Sequence, residues 1–123
     1  MAEEPLFVQN RIVVIVTPRA PLVDWMNRVF SDVADPVTLE QAQEDPNAFL
    51  VPVRPDEYDT PGARWLKRNW SVIFDQMLRD WCVDESVWPS PRTRKMFDQW
   101  CELREHSVVL DCTDEPLEYT EDV

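Results

Sequence analysis

Thr60-Pro-Gly-Ala-Arg-Trp-Leu-Lys-Arg-Asn-Trp-Ser-Val-Ile-Phe-Asp-Gln-Met-Leu-Arg-Asp-Trp-Cys82 carries the strongest periodic signal in the chain. Leu66, Trp70, Ile73, Phe74, Met77, Leu78 and Trp81 recur at the spacing of one helical face. Thr60 is a good N-cap, and Pro61 suits a first helical turn, where its missing N–H costs nothing. The principal helix is therefore expected over 61–82, roughly 30 Å long at a rise of about 1.5 Å per residue. A turn at Asp84–Pro89 leads to a second start signal, Ser90 then Pro91, with Met96, Phe97, Trp100 and Leu103 on a common face. The two helices are expected to form an antiparallel hairpin.

Upstream, Leu6 to Val16 reads as a strand whose β-branched run Ile12-Val-Val-Ile-Val16 is too uniformly apolar for a sheet face open to water. This predicts a central strand. Pro18 and Pro21 end it, and Leu22, Trp25, Met26, Val29 and Phe30 then mark one face of a short helix. Asp32 to Asn47 is a polar connection, in which Thr38 and Gln41 have the spacing of a capping box for a single turn. Phe49-Leu-Val-Pro-Val53 has strand composition, but Pro52 cannot donate to a ladder, so this strand belongs on an edge or carries a bulge. Ser107-Val-Val-Leu-Asp111 resumes the strand pattern. The expected fold class is α+β: a small three-stranded sheet (about 6–16, 48–53 and 107–111), packed by a helical hairpin and one short helix. A β-α-β start suggests that the first two strands are parallel with a right-handed crossover.

Composition bounds the function. The chain has 123 residues, 44% of them hydrophobic, and six tryptophans, enough apolar bulk for one compact domain, expected over 1–112. Residues 1–60 hold 4 basic and 11 acidic groups, 61–112 hold 8 of each, and 113–123 hold 5 acidic groups alone, giving −7, 0 and −5. The last block, with few apolar residues, is expected to be a mobile acidic tail. A net charge of −12 repels nucleic-acid backbones and anionic lipid alike. The longest apolar run has five residues, Ile12 to Val16, far short of the roughly 20 needed to span a bilayer. The N-terminus lacks the pattern of a signal peptide, and three cysteines with no need of cross-links suit a reducing cytoplasm.

Candidate chemistry is sparse. Cys82, Cys101, His106 and Cys112 contain no C-x-x-C pair to seed a tetrahedral zinc site, so neither metal nor cofactor is expected. His106 and Cys112 are six residues apart, on one face of a straight strand but about 20 Å from each other. A single glycine, Gly62, cannot build a phosphate-cradling loop. Asp84 and Glu85, in a turn beside Trp88, are the best carboxylate pair for acid/base work, although solvent-facing caps are the competing account. Arg64 and Arg68 lie at i, i+4 and share a helix face that suits a phosphate or carboxylate; a solvated helix back competes. Arg92, Arg94 and Lys95 open the next helix at its positive dipole end. Trp65, off the main helical face, and Trp88, in a proline-flanked turn, are candidate anchors for a partner protein; for Trp88 a hydrophobic staple ahead of the helix is the alternative.

Asn10-Arg-Ile-Val-Val-Ile-Val-Thr-Pro-Arg-Ala-Pro-Leu-Val-Asp-Trp25, Asp84-Glu-Ser-Val-Trp-Pro89 ahead of Met96, Phe97 and Trp100, and His106-Ser-Val-Val-Leu-Asp111 together resemble a family of short acidic bacterial proteins with no assigned activity. The resemblance implies a bacterial, cytoplasmic setting and no catalytic residues. Two functions follow as expectations. One is a non-enzymatic interaction or regulatory module whose acidic surface docks on a basic partner protein. The other is a small anionic-ligand binder or enzyme using Asp84, Glu85, Arg92 and Arg94 at the inter-helix turn. A homo-oligomer is compatible with either, since an edge strand with proline and exposed tryptophan leave surface to cover.

Overall fold

The computed structural model describes residues 4–32 and 35–120, so Val33-Ala34 of the polar connection and the last three residues of the acidic tail lie outside the described residues. The fold is α+β, as expected. Its strands are β1 (Leu6–Phe7), β2 (Arg11–Pro18), β3 (Asn47–Pro52), β4 (Cys101–His106) and β5 (Leu110–Asp111), and its helices α1 (Ala20–Val29), α2 (Leu39–Ala42), α3 (Ala63–Arg79) and α4 (Arg94–Trp100).

β2 is central in a three-stranded sheet of order β3-β2-β4, and β3 lies on an edge, where Pro52 is tolerated. Both pairings are antiparallel: Val14 faces Phe49 on one side and Glu105 on the other. The expected parallel crossover between the first two strands is therefore corrected. A single helical traverse would deliver the next strand parallel, but here β3 begins beside the end of β2, where Asn47 faces Val16, and runs back along it. Asn27 holds the connection between them, its side chain donating to the Val37 carbonyl and accepting from the Val37 N–H, both at 2.9 Å. The Thr38–Gln41 capping box is present, and the Gln43 amide donates to the Pro18 carbonyl at 2.8 Å, bringing the chain back beside the end of β2.

All the helical packing falls on one side of the sheet. Ile12, Val14, Val16 and Val51 are buried there against Leu22, Trp25 and Met26 of α1, Leu66, Ile73, Phe74, Met77 and Leu78 of α3, and Phe97 of α4. A chain of aromatic contacts knits these helices: Trp25 to Trp100 (6.3 Å between ring centroids), Trp100 to Phe74 (5.9 Å), Phe74 to Phe97 (5.5 Å) and Phe97 to Trp70 (5.9 Å). Fully burying side chains of this size contributes about 1.5–3 kcal/mol each.

The principal helix starts two residues later than the Thr60-Pro61 signal suggests, because Gly62 supplies the turn into it with φ +81°. A Cβ at this position would lie 2.7 Å from Ile12 Cδ1 and 3.2 Å from Val51 Cγ1, so the one glycine is demanded both by backbone conformation and by contact with the sheet. Asn69 interrupts α3 with non-helical torsions, φ −126° and ψ 18°, and its side chain donates to the Trp65 carbonyl at 3.0 Å.

The second helix is also shorter than expected. Thr93, not Ser90, is its N-cap, accepting from the Met96 N–H at 3.1 Å, and the Ser90–Pro91 peptide is cis. The helix ends at Trp100, and Cys101 enters β4 directly with extended torsions. The expected third strand at 107–111 is thus corrected to 101–106. Leu103 satisfies a helical spacing from Phe97 and Trp100, but it also alternates with Glu102 and Arg104 at the period of a half-buried strand, and pairing with β2 selects the second pattern.

Residues 107–111 instead extend the ladder. β5 pairs antiparallel with β1, Leu6 opposite Asp111 and Phe7 opposite Leu110, and the Val8 N–H donates to the Val109 carbonyl at 2.8 Å. Residues 8–12 on one strand span the same interval as 107–109 on the other, and this mismatch splits the single strand expected over 6–16 into β1 and β2.

Candidate functional site

The inter-helix turn is held by internal partners. Asp84 caps a single 3-10 turn (Glu85–Val87), accepting from the Ser86 N–H at 3.0 Å and the Ser86 hydroxyl at 2.6 Å. The hydroxyl, then the N–H, holds its carboxyl below the usual carboxylate range. Glu85 is exposed. Arg92 donates from Nε to Asp75 at 3.1 Å and from Nη1 to the Pro89 carbonyl at 3.1 Å, and its guanidinium lies over the Trp88 ring. Arg94 pairs with Asp98 at 3.0 Å along α4. Asp84, Arg92 and Arg94 therefore point their polar atoms at neighbours in the fold while Glu85 faces outward, and the structure does not gather the four around one cavity.

Trp88 is buried, at 5% exposure, with its indole N–H donating to the Cys82 carbonyl at 2.8 Å and Arg79 and Arg92 both 5.4 Å from its ring centre. It packs ahead of α4 and presents no face to a partner. The nominated thiol and imidazole groups are also apart. Cys101 lies on the buried face of β4 opposite Pro18, and His106, an odd number of residues on, lies on the other face opposite Val13. Burial pushes the Cys101 thiol up to about 12. Among the described residues no group of three or more His, Cys, Asp or Glu side chains could hold a metal ion. Among the same residues no helix is long and apolar enough to cross a membrane.

Two other regions are open. The first is the uncovered side of the sheet with its extension. Val13 and Ile15 of the central strand, the residues expected to be enclosed, are half-buried on this side, beside exposed Ala48 and 48%-exposed Leu50. Arg104 and His106 flank them from β4, opposite Ile15 and Val13, and no helix covers this side. Beyond, at the β1–β5 end, Leu6 (52%), Phe7 (55%), Val108 (69%) and Leu110 (54%) are exposed, Phe7 paired with Leu110 on one face of the ribbon and Leu6 on the other. Around them the chain carries Glu4, Asp111, Asp114, Glu115 and Glu118, and neither 4–10 nor 107–120 contains a lysine or arginine. Thr113–Thr120 forms no helix or strand and is exposed throughout. A groove of about 760 Å³ runs at the foot of this end, between Phe7, Ile12, Val53, Tyr58 and Val108.

The second region is a notch of about 440 Å³ where the end of β3 meets the start of α3. Arg64, Trp65 and Arg68, all nominated from the sequence, line it together with Pro52, Arg54, Glu57 and Asn69. Glu57 staples the two segments, accepting from the Arg54 N–H at 3.0 Å and the Arg64 N–H at 3.3 Å; the Arg54 N–H is the main reason its carboxyl sits below the usual range. Arg64 pairs with Asp56 at 3.0 Å. The side chains of Arg54 and Arg68 make no ion pair or hydrogen bond among the described residues. Arg54 and Asn69 were not legible as site residues: one is an isolated base in an acidic half, the other a polar residue inside a helical stripe. Comparison with protein-family models, curated proteins and solved structures found no match to the chain.

Proposed function

We propose that the chain is a non-enzymatic interaction module that docks on a protein with a basic surface, and that the β1–β5 end is where it does so. The supporting observation is the combination found there: exposed apolar side chains, Leu6, Phe7, Val108 and Leu110, on segments that carry acidic residues and no lysine or arginine, with Arg11 and Arg54 along the groove at their foot. Clustered exposed apolar groups of this kind mark contact surfaces, and a rim of one sign selects a partner of the other and steers its approach. Such a partner gains twice, from burying the ribbon side chains and from relieving the field of a −12 chain.

The test is affinity recovery from source-cell extract at low and high salt, with the wild-type chain beside a Phe7→Ser, Leu110→Ser double variant. Both positions are more than half exposed, so the variant is expected to fold normally. The wild-type chain should retain a basic protein that is released at about 0.5 M salt, where the screening length falls to about 4 Å. The double variant should not retain it. Recovery of no basic protein at low salt, or equal recovery by the variant, removes the reading.

A further inference from the structure

We propose that the notch between β3 and α3 binds a small organic anion, a carboxylate or phosphate carried on a flat apolar body. The chain holds 24 carboxylates for 12 lysines and arginines, so guanidiniums have acceptors in surplus. Arg64, Arg92 and Arg94 each take one at 3.0–3.1 Å. Arg54 and Arg68 take none among the described residues, as Arg11, Arg28 and Arg79 also do not; what sets the first two apart is that they line one notch from two different segments. Glu57, which lines the same notch, accepts from the backbone N–H groups of Arg54 and Arg64, which engages both of its oxygens, so that neither the Arg54 nor the Arg68 guanidinium is hydrogen-bonded to it although its charge lies close by.

The rest of the notch fits the remainder of such a ligand. Trp65 and Pro52 supply an apolar wall, and the volume of about 440 Å³ falls within the range of small-molecule sites. Guanidiniums present planar, forked donors suited to carboxylate and phosphate oxygens, and an indole face takes a flat ring. The kink at Asn69 has a part in this geometry. Its side chain draws on the Trp65 carbonyl one turn back, fixing the wall residue and the start of the helix that carries Arg68. Polynucleotides are disfavoured by the charge of the whole chain, whereas a single small anion meets only the local field of the notch.

Titration of the ¹⁵N-labelled protein with phenyl phosphate, benzoate and inorganic phosphate, following the Trp65 indole signal, tests the site. Saturable movement of that signal by phenyl phosphate or by benzoate is expected, and whichever binds more tightly identifies the headgroup. An Arg54→Ala, Arg68→Ala double variant should bind at least about tenfold more weakly, since each charge-assisted hydrogen bond lost is worth more than a neutral one. Both positions are exposed, and unchanged signals from Trp25 and Trp88 will show that the variant keeps its core. Absence of saturation by either aromatic probe, or full binding by the double variant, overturns the proposal. Inorganic phosphate binding as tightly as phenyl phosphate overturns the assignment of the apolar body.

Discussion

The two faces of β2 are written in nearly the same alphabet and live in different surroundings. Ile12, Val14 and Val16 lie at 2% exposure or less under three helices, whereas Val13 and Ile15, between them in sequence, are half-buried on a face that no helix covers. Apolar content alone does not tell a strand enclosed on both sides from one enclosed on one side only. What distinguishes them is the side on which the helices pack, not the partner across the ladder: buried Val14 faces Glu105, and half-buried Val13 faces Leu50. The buried face carries the stability of the domain; the open face and its β1–β5 extension are free for contact.

The sharpest way to break this comparison is one substitution on each face. Ile12→Ala should cost about 2–5 kcal/mol, the range for a large-to-small change in a closed core, whereas Ile15→Ala should cost about 1 kcal/mol. Urea denaturation of the two variants measures the gap, and equal losses would mean that the outer face is covered. The cysteines extend the test. Cys101 on the inner face has its thiol raised to about 12 by burial, so it should resist alkylation at pH 8 while exposed Cys112 reacts. For the same reason the folded form keeps the Cys101 proton when the unfolded form has already released it. Stability from this group is complete below the ordinary thiol value of 9.0 and declines as pH rises from there toward about 12. An alkaline series of thermal midpoints, with a Cys101→Ala control, checks the sign.

A smaller effect separates the two kinds of arginine. Arg92→Ala removes the Asp75 pair, the bond to the Pro89 carbonyl and a cation over Trp88, and should lower stability by about 1 kcal/mol, a modest figure because the pair is one-third exposed. Arg68→Ala removes no ion pair or hydrogen bond with the described residues and should change stability by no more than about 0.5 kcal/mol. Comparable losses from the two would show that Arg68 is a structural residue.

Much of the fold is legible in the residues themselves, and the exceptions have common causes. α1, α3, the Thr38–Gln41 box, the central place of β2 and the edge position of the Pro52 strand follow from local spacing and local chemistry. The boundary at Trp100–Cys101 does not, because Leu103 fits two periods and only its pairing with Val16 chooses between them. The direction of β3 depends on the connection pinned by Asn27, a contact ten residues along the chain that no periodicity encodes. Likewise Val108, Val109 and Leu110 have the composition of a core strand but lie at a ribbon where Val108 and Leu110 are more than half exposed. The notch was half visible: Arg64, Trp65 and Arg68 share a helical turn and so share a pattern, while Arg54 joins them only through tertiary folding.

The contact between Trp25 and Trp100, with their rings inclined at 46°, has an optical consequence. Two indoles held so near and at an angle couple their electronic transitions, and the couplet they give in ultraviolet circular dichroism depends on α1 and the end of α4 staying together. The protein thus contains its own gauge of core integrity, remote from both the ribbon end and the arginine notch. Events at either place can be followed against a signal that only the loss of helix packing should disturb.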